Sequence, residues 1–429
     1  MDKLYLGVAR EIITPEVGGH LYGYNPYIIS EKVEDDLTAT AFYFKQGAVQ
    51  ALMISVTVAI IKTELAERIL KLISEKTGIP KENCMVCATH THSGPNTGGT
   101  FGWGDIDTEY CEGILIPQIL KAAEKAAAEP QPVKMGVARG NSNIGINRRV
   151  ILEDNGIGLG QNPWGCFDPK MTVISFLNGE EKNVANIVHY GMHGTAAGLN
   201  HEITRDWSGI MIDTLEKQSG AITAFFNGPE GDVGPRLSNK QTVGGLKYVR
   251  EIGGAAALDA VRIYDSLFDY HDVELTVSHK KLRIPLKKRM DRNEAEKMLE
   301  DYKDQSVNIG GWIRKHLEDV IASYENGFEE AEAFEFEQTV IRLGNIVFTS
   351  FPYELFSEIG LRIDGAIKNK AVLSLSNTNG GEGYFITQDV ICRGGYEVGM
   401  FLYGRVQPYC DNADFHIMKE TVKHIKEMQ

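Results

Sequence analysis

Apolar and polar positions alternate along the chain in two patterns, one typical of strands and one of helices. Short apolar runs predict eight β-strands, at Leu4 to Val8, Thr38 to Phe44, Ala51 to Val58, Met171 to Leu177, Val184 to Tyr190, Ala221 to Phe226, Val340 to Thr349 and Ala371 to Ser376. Apolar residues three or four positions apart predict helices at Lys62 to Thr77, Tyr110 to Ala128, Asp206 to Gln218, Val243 to Ser266, Leu355 to Lys368 and Phe415 to Glu427. Because strands and helices alternate, while neighbouring strands near the start are spaced like hairpins, the pattern predicts an α/β fold with mixed α+β sheets and surrounding helices.

The helix over Lys62 to Thr77 has the clearest predicted boundaries. Thr63 is placed to cap its start, because a threonine hydroxyl can accept a hydrogen bond from a free N–H of the first turn. Gly78, followed closely by Pro80, predicts its end.

The length of 429 residues provides material for one large or two ordinary domains. With 43% apolar residues, the chain can fill a large core. The composition changes at about 287–332, where the sequence is highly charged and helical in pattern. We expect a solvated helical excursion there, with a lid over a site as the alternative interpretation.

Charge and hydropathy restrict the partners of this chain. A net charge of −14 repels phosphate backbones and anionic lipid surfaces, so no nucleic acid partner is expected. No secretory signal is visible at the start, and the densest apolar stretch, Ala51 to Ile61, is shorter than the roughly 20 residues of a membrane helix. We therefore expect a cytoplasmic protein without membrane insertion, while its oligomeric state stays open.

The strongest chemical signal is a pair of histidines, His90 and His92, after the apolar run Cys84 to Ala88. Side chains alternate faces along a strand, so these two imidazoles are predicted to lie on the same side of its carboxyl end. Neutral imidazole is a common zinc ligand, which makes a metal site the first hypothesis. The alternative is a pair of histidines that are hydrogen-bonded in a turn, because a zinc site needs three or four ligands.

Other segments add candidates for the same site. His193 closes another apolar strand. Two glycine-rich loops, Asn96 to Asp105 and Asn155 to Phe167, are too long and too aromatic for simple turns. We expect their tryptophans, Trp103 and Trp164, to line a substrate pocket.

Eight ordered motifs give the chain a family resemblance. They are Thr14-Pro15 followed by Gly23-Tyr24, Asp35 to Ala39, Thr89 to Pro95, Asn147-Arg148, His193-Gly194-Thr195, Gly231-Asp232-Val233, Pro352-Tyr353-Glu354 and Gly395-Tyr396-Glu397. On these motifs the chain resembles the neutral ceramidase family, the zinc amidohydrolases of the nonlysosomal type, over most of their catalytic domain. The resemblance implies a neutral-ceramidase-like fold, a single catalytic domain over residues 1–429, and a metal-dependent hydrolase of amide or ester bonds.

The resemblance also implies roles for individual residues. It implies that one Zn²⁺ per chain is held by His90, His193, Glu354 and Tyr396. It implies that two catalytic side chains lie near the substrate, His92 and Arg148, although the neighbouring Arg149 leaves the register open. Two further residues, Asp206 and Asp232, are expected to orient the metal ligands, and the alternative is that they only cap turns.

The chain departs from the family at two points. The family motif carries a serine where this chain has Gly234, so we expect direct attack by a zinc-bound hydroxide and no acyl-enzyme. We also expect no carboxyl-terminal β-sandwich domain, and hence a small soluble substrate. Gly234 and Tyr409 are further candidates for substrate binding.

Three other hypotheses remain open at this point. The first is that the chain hydrolyses ceramide itself, the second that it is a metal-binding pseudoenzyme without catalysis, and the third that it is a metallohydrolase of another architecture. The absent motif serine at Gly234 motivates the second.

Overall fold

The computed structural model describes residues 2–305 and 308–428. Its strands are β1 (Leu4–Ile12), β2 (Lys32–Val33), β3 (Thr38–Gln46), β4 (Val49–Val56), β5 (Cys84–Ala88), β6 (Gln131–Asn141), β7 (Gly145–Ile151), β8 (Ile157–Asn162), β9 (Lys170–Asn178), β10 (Asn183–Tyr190), β11 (Glu202–Ile203), β12 (Ile222–Asn227), β13 (Val233–Pro235), β14 (Tyr270–His271), β15 (Leu275–Pro285), β16 (Ala333–Leu343), β17 (Ile346–Ser350), β18 (Glu354–Leu355), β19 (Ala371–Leu375) and β20 (Tyr384–Phe385). Its α-helices are α1 (Thr63–Thr77), α2 (Thr108–Tyr110), α3 (Ile116–Ala128), α4 (Asp206–Ser219), α5 (Leu246–Tyr264), α6 (Arg292–Tyr302), α7 (Asn308–Ser323), α8 (Ser357–Ala366), α9 (Tyr396–Tyr403) and α10 (Ala413–Lys426). A π-helical turn, Cys111–Leu115, joins α2 to α3, and no helix in the described residues is long and apolar enough to cross a membrane.

Two mixed sheets form the framework. The larger has the order β12-β10-β9-β6-β1-β3-β4-β5, with β14 also paired to β6, and the second has the order β15-β16-β17-β19. Within the larger sheet the pairs β4–β5 and β10–β12 are parallel, and the other pairs are antiparallel. The predicted α/β fold with mixed sheets is therefore confirmed.

The two sheets pack face to face with helices on both outer surfaces. Along β3, Phe42 and Phe44 belong to the apolar layer between the sheets, while Ala41 and Tyr43 belong to the layer beneath α1 and α3. Each strand residue thus faces one of two apolar layers, which is why β3 is buried on both faces. The helices α4 and α5 cover another part of the larger sheet, and α8 and α10 cover the outer face of the second sheet.

The helix α1 confirms one predicted boundary and corrects another. Gly78 ends the helix with a left-handed conformation, φ 72°, as predicted. Thr63 does not cap the start, because it is itself the first helical residue and its hydroxyl donates to Glu382 Oε1 at 2.7 Å. A tertiary contact has therefore taken the hydroxyl that the local pattern assigned to the cap.

Two further segments differ from the pattern. The predicted strand Val340 to Thr349 is a hairpin of β16 and β17, which turn at Gly344 with φ 59°. The predicted glycine-rich loop Asn155 to Phe167 contains β8, which pairs with β7. In the first segment a turn divides the apolar run into two strands, and in the second a partner strand, β7, makes part of a glycine-rich segment extended.

The charged excursion at about 287–332 contains α6 and α7. Residues 306 and 307 of this segment lie outside the described residues. The helices share a small apolar cluster that includes Leu317 and Val320, and α7 reaches α9 where Ile309 lies against Gly399. Trp312 of α7 also stacks edge-on against Phe101 at 5.9 Å between ring centroids. The excursion is therefore helical and contacts both α9 and a glycine-rich loop.

Candidate metal centre

The segments after β5 and β10 are hydrogen-bonded directly to each other. The N–H of His92 donates to the carbonyl of Gly194 at 3.0 Å, and the N–H of Gly194 donates to the carbonyl of His90 at 3.2 Å. A Cβ added at Gly194 would lie 2.6 Å from that His90 oxygen, so this close approach requires glycine. The contact brings His193 next to the histidine pair.

His90 and His92 converge, but not by strand alternation. The strand ends at Ala88, and His90 takes a left-handed conformation with φ 67°, which is strained for a residue with a side chain. Their Nε2 atoms lie 3.2 Å apart. The prediction that both imidazoles lie on the same side rested on the alternation of side chains along a strand, whereas the turn at His90 is what brings the two rings together.

All three imidazoles are fixed by backbone carbonyls at Nδ1. His90 Nδ1 donates to Ala59 O at 2.8 Å, His92 Nδ1 to Gly23 O at 3.1 Å, and His193 Nδ1 to Glu230 O at 2.8 Å. A carbonyl oxygen only accepts, so each Nδ1 carries a hydrogen, and each ring has its lone pair at Nε2 when it is neutral.

Glu354 brings a carboxylate to the same point. Its Oε2 lies 3.3 Å from His90 Nε2 and 3.1 Å from His193 Nε2, and this buried oxygen has no hydrogen-bond partner within the described residues. We call His90, His92, His193 and Glu354 the histidine cluster. Several lone pairs converge there without a matching number of hydrogens, which is an arrangement that a cation relieves.

The spacing and chemistry of this cluster fit zinc. Ligand atoms bound to a tetrahedral zinc ion at its usual bond lengths lie roughly 3.3–3.6 Å apart. The 3.1 to 3.3 Å separations among the Nε2 atoms and the Glu354 oxygen are close to that range. Imidazole nitrogen and carboxylate oxygen are also the donor types that zinc prefers.

Tyr396 lies at the edge of this cluster as the first residue of α9. Its ring packs against Tyr384 at 5.7 Å between centroids, and its buried hydroxyl has no hydrogen-bond partner in the described part of the chain. Burial, followed by the negative charge of Glu354, raises the pKa of Tyr396 well above its usual value. A buried phenol without a partner is suited to a further ligand position.

Burial and the Glu354 carboxylate shift the pKa values of the histidines in opposite directions. Burial lowers the pKa of His193 to about 3, with the nearby charges of Arg148 and His90 acting in the same direction. Burial likewise lowers the pKa of His90, but the Glu354 carboxylate outweighs it and the net shift is upward. Without a metal, a proton is therefore held most readily at His90.

A second buried charged group lies beside the histidine cluster, and we call it the arginine cluster. Arg148 Nε donates to Glu397 Oε1 at 3.0 Å, and Arg149 Nη1 donates to the other oxygen of the same carboxylate. Arg148 Nη2 also donates to Tyr384 Oη at 2.9 Å, and that hydroxyl lies 3.4 Å from His193 Nε2. Arg148 thus reaches the histidine cluster through Tyr384, whereas Arg149 turns to the carbonyl of Gly394.

Asp206 and Asp232 touch the backbone around the site and not the imidazoles. Asp206 accepts from the N–H groups of Ala196 and Ala197, just after His193. Asp232 accepts from the backbone N–H and the hydroxyl of Ser357, just after Glu354, at 2.8 and 3.1 Å. Burial raises the pKa of each carboxyl to about 6. Asp206 therefore fixes the segment after His193, and Asp232 fixes the segment after Glu354.

The candidates for substrate binding fall in different places. Trp103 lies beside the site, with its ring centroid 6.4 Å from that of His92 and 5.2 Å from that of Tyr22. Trp164 is 94% exposed in the turn after β8, and the structure does not bring it to the histidines. Tyr409 is buried in the core behind the site, where its hydroxyl lies 3.0 Å from that of Tyr353.

The position of the absent serine is closed by a neighbour. A Cβ added at Gly234 would lie 2.6 Å from the Cβ and 2.7 Å from the Cγ2 of Thr242. Thr242 is buried, so its β-branched side chain occupies the space that a residue at position 234 would need. The site therefore has no side chain, and no room for one, at Gly234.

Three residues of the site were not found from the sequence. Tyr384 bridges the two clusters, while Glu230 and Asn377 lie behind His90, where Asn377 Nδ2 donates to Glu230 Oε1 at 2.6 Å. Burial raises the pKa of Glu230 to about 8. The sequence signal for Glu230 is a carboxylate within the glycine-rich run Asn227 to Gly234.

In sequence, the chain is similar to neutral ceramidases. It is 24% identical over 217 residues to the neutral ceramidase of Pseudomonas aeruginosa, covering 45% of this chain and 32% of that protein. It is 30% identical over 177 residues to neutral ceramidase A of Dictyostelium discoideum, covering 36% of this chain and 24% of that protein. The chain thus spans about a third or less of these two curated relatives, and no protein-family profile matches it.

In structure, the similarity extends over the whole described chain. The fold superposes on the crystal structure of the neutral ceramidase from Pseudomonas aeruginosa with a TM-score of 0.76 and 19% identity, covering 99% of this chain and 74% of that one. A ceramidase complexed with C2 gives a TM-score of 0.76 and 18% identity, covering 100% of this chain and 76% of that one.

Proposed function

We propose that this chain, which contains a neutral-ceramidase-like domain, is a zinc-dependent hydrolase that cleaves an amide or ester bond. The observation that carries the proposal is the convergence of two imidazole Nε2 atoms, of His90 and His193, on one carboxylate oxygen that has no partner in the described residues, with His92 Nε2 next to that of His90. In this proposal residues 1–429, with the excursion at about 287–332, act as one catalytic unit.

The zinc ligands in this proposal are His90, His193, Glu354 and Tyr396. Their donor atoms are two imidazole nitrogens, a carboxylate oxygen and a phenol oxygen, and the last two have no partner in the described residues. When bound, zinc supplies Lewis acidity that polarises a carbonyl group and lowers the pKa of water.

His92 is proposed to take the proton of the attacking water. Burial, together with His90 and His193, holds the pKa of His92 well below its usual value, so the ring is neutral. Its Nδ1 hydrogen is engaged by Gly23 O, which leaves Nε2 as the acceptor.

Arg148 is proposed to act on the substrate through Tyr384. Because Arg148 donates to the Tyr384 oxygen, the Tyr384 hydrogen is free to donate into the site. That hydrogen is placed to stabilise the negative charge that develops on the carbonyl oxygen of the substrate.

The closed position at Gly234 supports direct attack by water, because no hydroxyl is present there to form an acyl-enzyme. Trp103 packs against Tyr22 and His92 beside the site, and we expect its ring to limit the size of the bound group, which favours a small soluble substrate. The same closed position favours a second candidate function, a metal-binding pseudoenzyme, since the family motif has lost its hydroxyl.

Metal analysis combined with hydrolysis assays tests the proposal. The panel contains small chromogenic amides and esters and a short-chain ceramide in detergent, and the variants are His90→Ala, Glu354→Ala and, as a control, the exposed His201→Ala. We expect one zinc per chain and chelator-sensitive turnover in the wild type and in His201→Ala, with both lost in the other two variants.

Three results would contradict parts of this proposal. Bound zinc without turnover on the whole panel supports the pseudoenzyme. Turnover of ceramide that exceeds that of every small substrate supports a ceramide hydrolase. A covalent acyl adduct detected by mass spectrometry excludes direct attack by water.

A further inference from the structure

Asn377 lies between the two chain segments that carry His90 and Glu354. Its N–H donates to the carbonyl of Tyr353, which precedes Glu354, at 3.0 Å. Its carbonyl accepts from the N–H of Ala88, at the end of the strand before His90, also at 3.0 Å. Asn377 has a φ of 46°, a left-handed conformation that the surrounding contacts hold in place.

The side chain of Asn377 continues this connection to a buried carboxylate. Its Nδ2 donates to Glu230 Oε1 at 2.6 Å and lies 3.2 Å from His90 Nδ1. Asn377 and Glu230 are 1% and 0% exposed, so neither contact is shared with solvent. Asn377 therefore lies on the Nδ1 side of the His90 ring and links that ring to Glu230.

Glu230 also contacts the second histidine, through its backbone. Its carbonyl oxygen accepts from His193 Nδ1 at 2.8 Å. One residue thus fixes His193 directly and supports His90 through Asn377. In addition, one ligand atom each from His90, Glu230 and Glu354 lie within 4.8 Å of one another, and Glu230 Oε2 has no partner in the described residues.

We infer that Glu230, acting with Asn377, is a positioning residue for a divalent cation: its side chain supports His90 through Asn377, and its backbone carbonyl fixes His193. This inference rests on the proposed function, because it assumes a metal at the histidine cluster. Converging lone pairs repel one another before the metal arrives, so the rings must be held from behind. Groups that support metal ligands in this way typically contribute about 10–100-fold to metal affinity.

Zinc affinity and a cobalt spectrum test the inference without use of turnover. Zinc dissociation constants are measured by competition with a chromophoric chelator, and Co²⁺-substituted protein reports ligand geometry by its visible absorption. The variants are Glu230→Ala, Glu230→Gln and Asn377→Ala. The control is Asn186→Ala, which removes a buried amide that bonds Ser219 and Thr223 and touches no histidine.

We expect Glu230→Ala and Asn377→Ala to weaken zinc binding about 10–100-fold and to change the Co²⁺ absorption bands. Glu230→Gln keeps an oxygen that can accept from Asn377, so it should restore the wild-type bands and part of the affinity. The control should keep both properties even if it loses stability. If Glu230→Ala does not fold, Glu230→Gln and Asn377→Ala decide the question.

Unchanged zinc affinity and Co²⁺ bands in the folded Glu230 and Asn377 variants would overturn the inference. A wild-type protein that binds no zinc would overturn it together with the proposed function. A wild type that binds zinc without turnover overturns only the proposed function, because the affinities of the variants still decide the role of Glu230.

Discussion

The histidine cluster and the arginine cluster are both buried and charged, and Tyr384 connects them, yet they are balanced differently. In the arginine cluster, two guanidinium groups share one carboxylate, that of Glu397, and each is hydrogen-bonded to one of its oxygens. In the histidine cluster, the Glu354 oxygen faces two imidazole nitrogens, and its counter-charge in the metal-free protein is a proton held at His90. One cluster is therefore paired permanently, whereas the other is paired by a proton that a metal ion can replace.

The difference follows from the chemistry of the two side chains. A guanidinium group keeps its proton in any protein environment, so it can be buried only with a permanent partner. An imidazole can lose its proton, so a buried histidine can wait neutral and exchange a proton for a metal ion. The comparison therefore predicts that changes to the arginine cluster affect stability, whereas changes to the histidine cluster affect metal binding.

The largest effect is expected from Glu397→Gln. This substitution leaves Arg148 and Arg149 buried without a counter-charge, and breaking a buried pair in this way typically costs about 3–5 kcal/mol of folding free energy. Urea denaturation of metal-free and zinc-loaded protein should show the loss in both forms. The control is Glu112→Gln at the exposed pair with Arg68, where little change is expected. Similar stability of the two variants would contradict the described difference between the clusters.

The sequence predicts the residues of these two clusters where they lie in linear motifs, and fails where their placement depends on an irregular strand. His90, His193 and Glu354 lie in motifs that a linear sequence displays, and the structure brings them together. The choice between Arg148 and Arg149 could not be made, because β7 changes register between Asn147 and Arg149 and both arginines become buried. An irregular strand of this kind breaks the alternation on which pattern analysis depends.

The same limit explains the residues that were missed or misplaced. Tyr384 lies in a strand of two residues, too short for any periodic signal, and its role depends on contacts from distant segments. Trp164 looked like a pocket residue because of its glycine-rich surroundings, but much of that segment is β8, and Trp164 lies in an exposed turn after the strand. The layered fold was predictable because alternation along long strands reports burial directly.

The next largest effect is expected from Tyr384→Phe, which removes the contact between the two clusters. Arg148 loses a neutral acceptor, and hydrogen bonds to charged groups contribute about 1.5–3 kcal/mol. The free energy of unfolding should fall by this amount in the metal-free form, while zinc stoichiometry stays unchanged. Under the proposed function, kcat for a small amide should also fall. Loss of zinc from this variant would show that the clusters do not act separately.

A smaller effect is expected from pH on zinc binding. The Glu354 carboxylate raises the pKa of His90 in the metal-free protein despite burial, so a proton competes with zinc for the His90 nitrogen. Zinc affinity should therefore fall as the pH falls below the pKa of His90, by about tenfold per pH unit for one displaced proton, and should level off above it. Chelator competition across a pH series measures this slope. A flat profile over the acidic range would contradict the exchange of proton for metal.

The smallest effect on stability is expected from Glu354→Gln in metal-free protein, although the chemical change is the same as in Glu397→Gln. The carboxylate is the reason that His90 holds a proton, so the two charges disappear together and leave neutral imidazoles beside an amide whose N–H can donate to a ring nitrogen. We expect the free energy of unfolding to change by less than about 1 kcal/mol in the presence of chelator. In zinc, the wild type should gain stability from the bound ion and the variant should not, because it lacks a ligand. A loss in chelator as large as that of Glu397→Gln would mean that His90 keeps its proton after the carboxylate is removed, so that the histidine cluster is also a permanent ion pair.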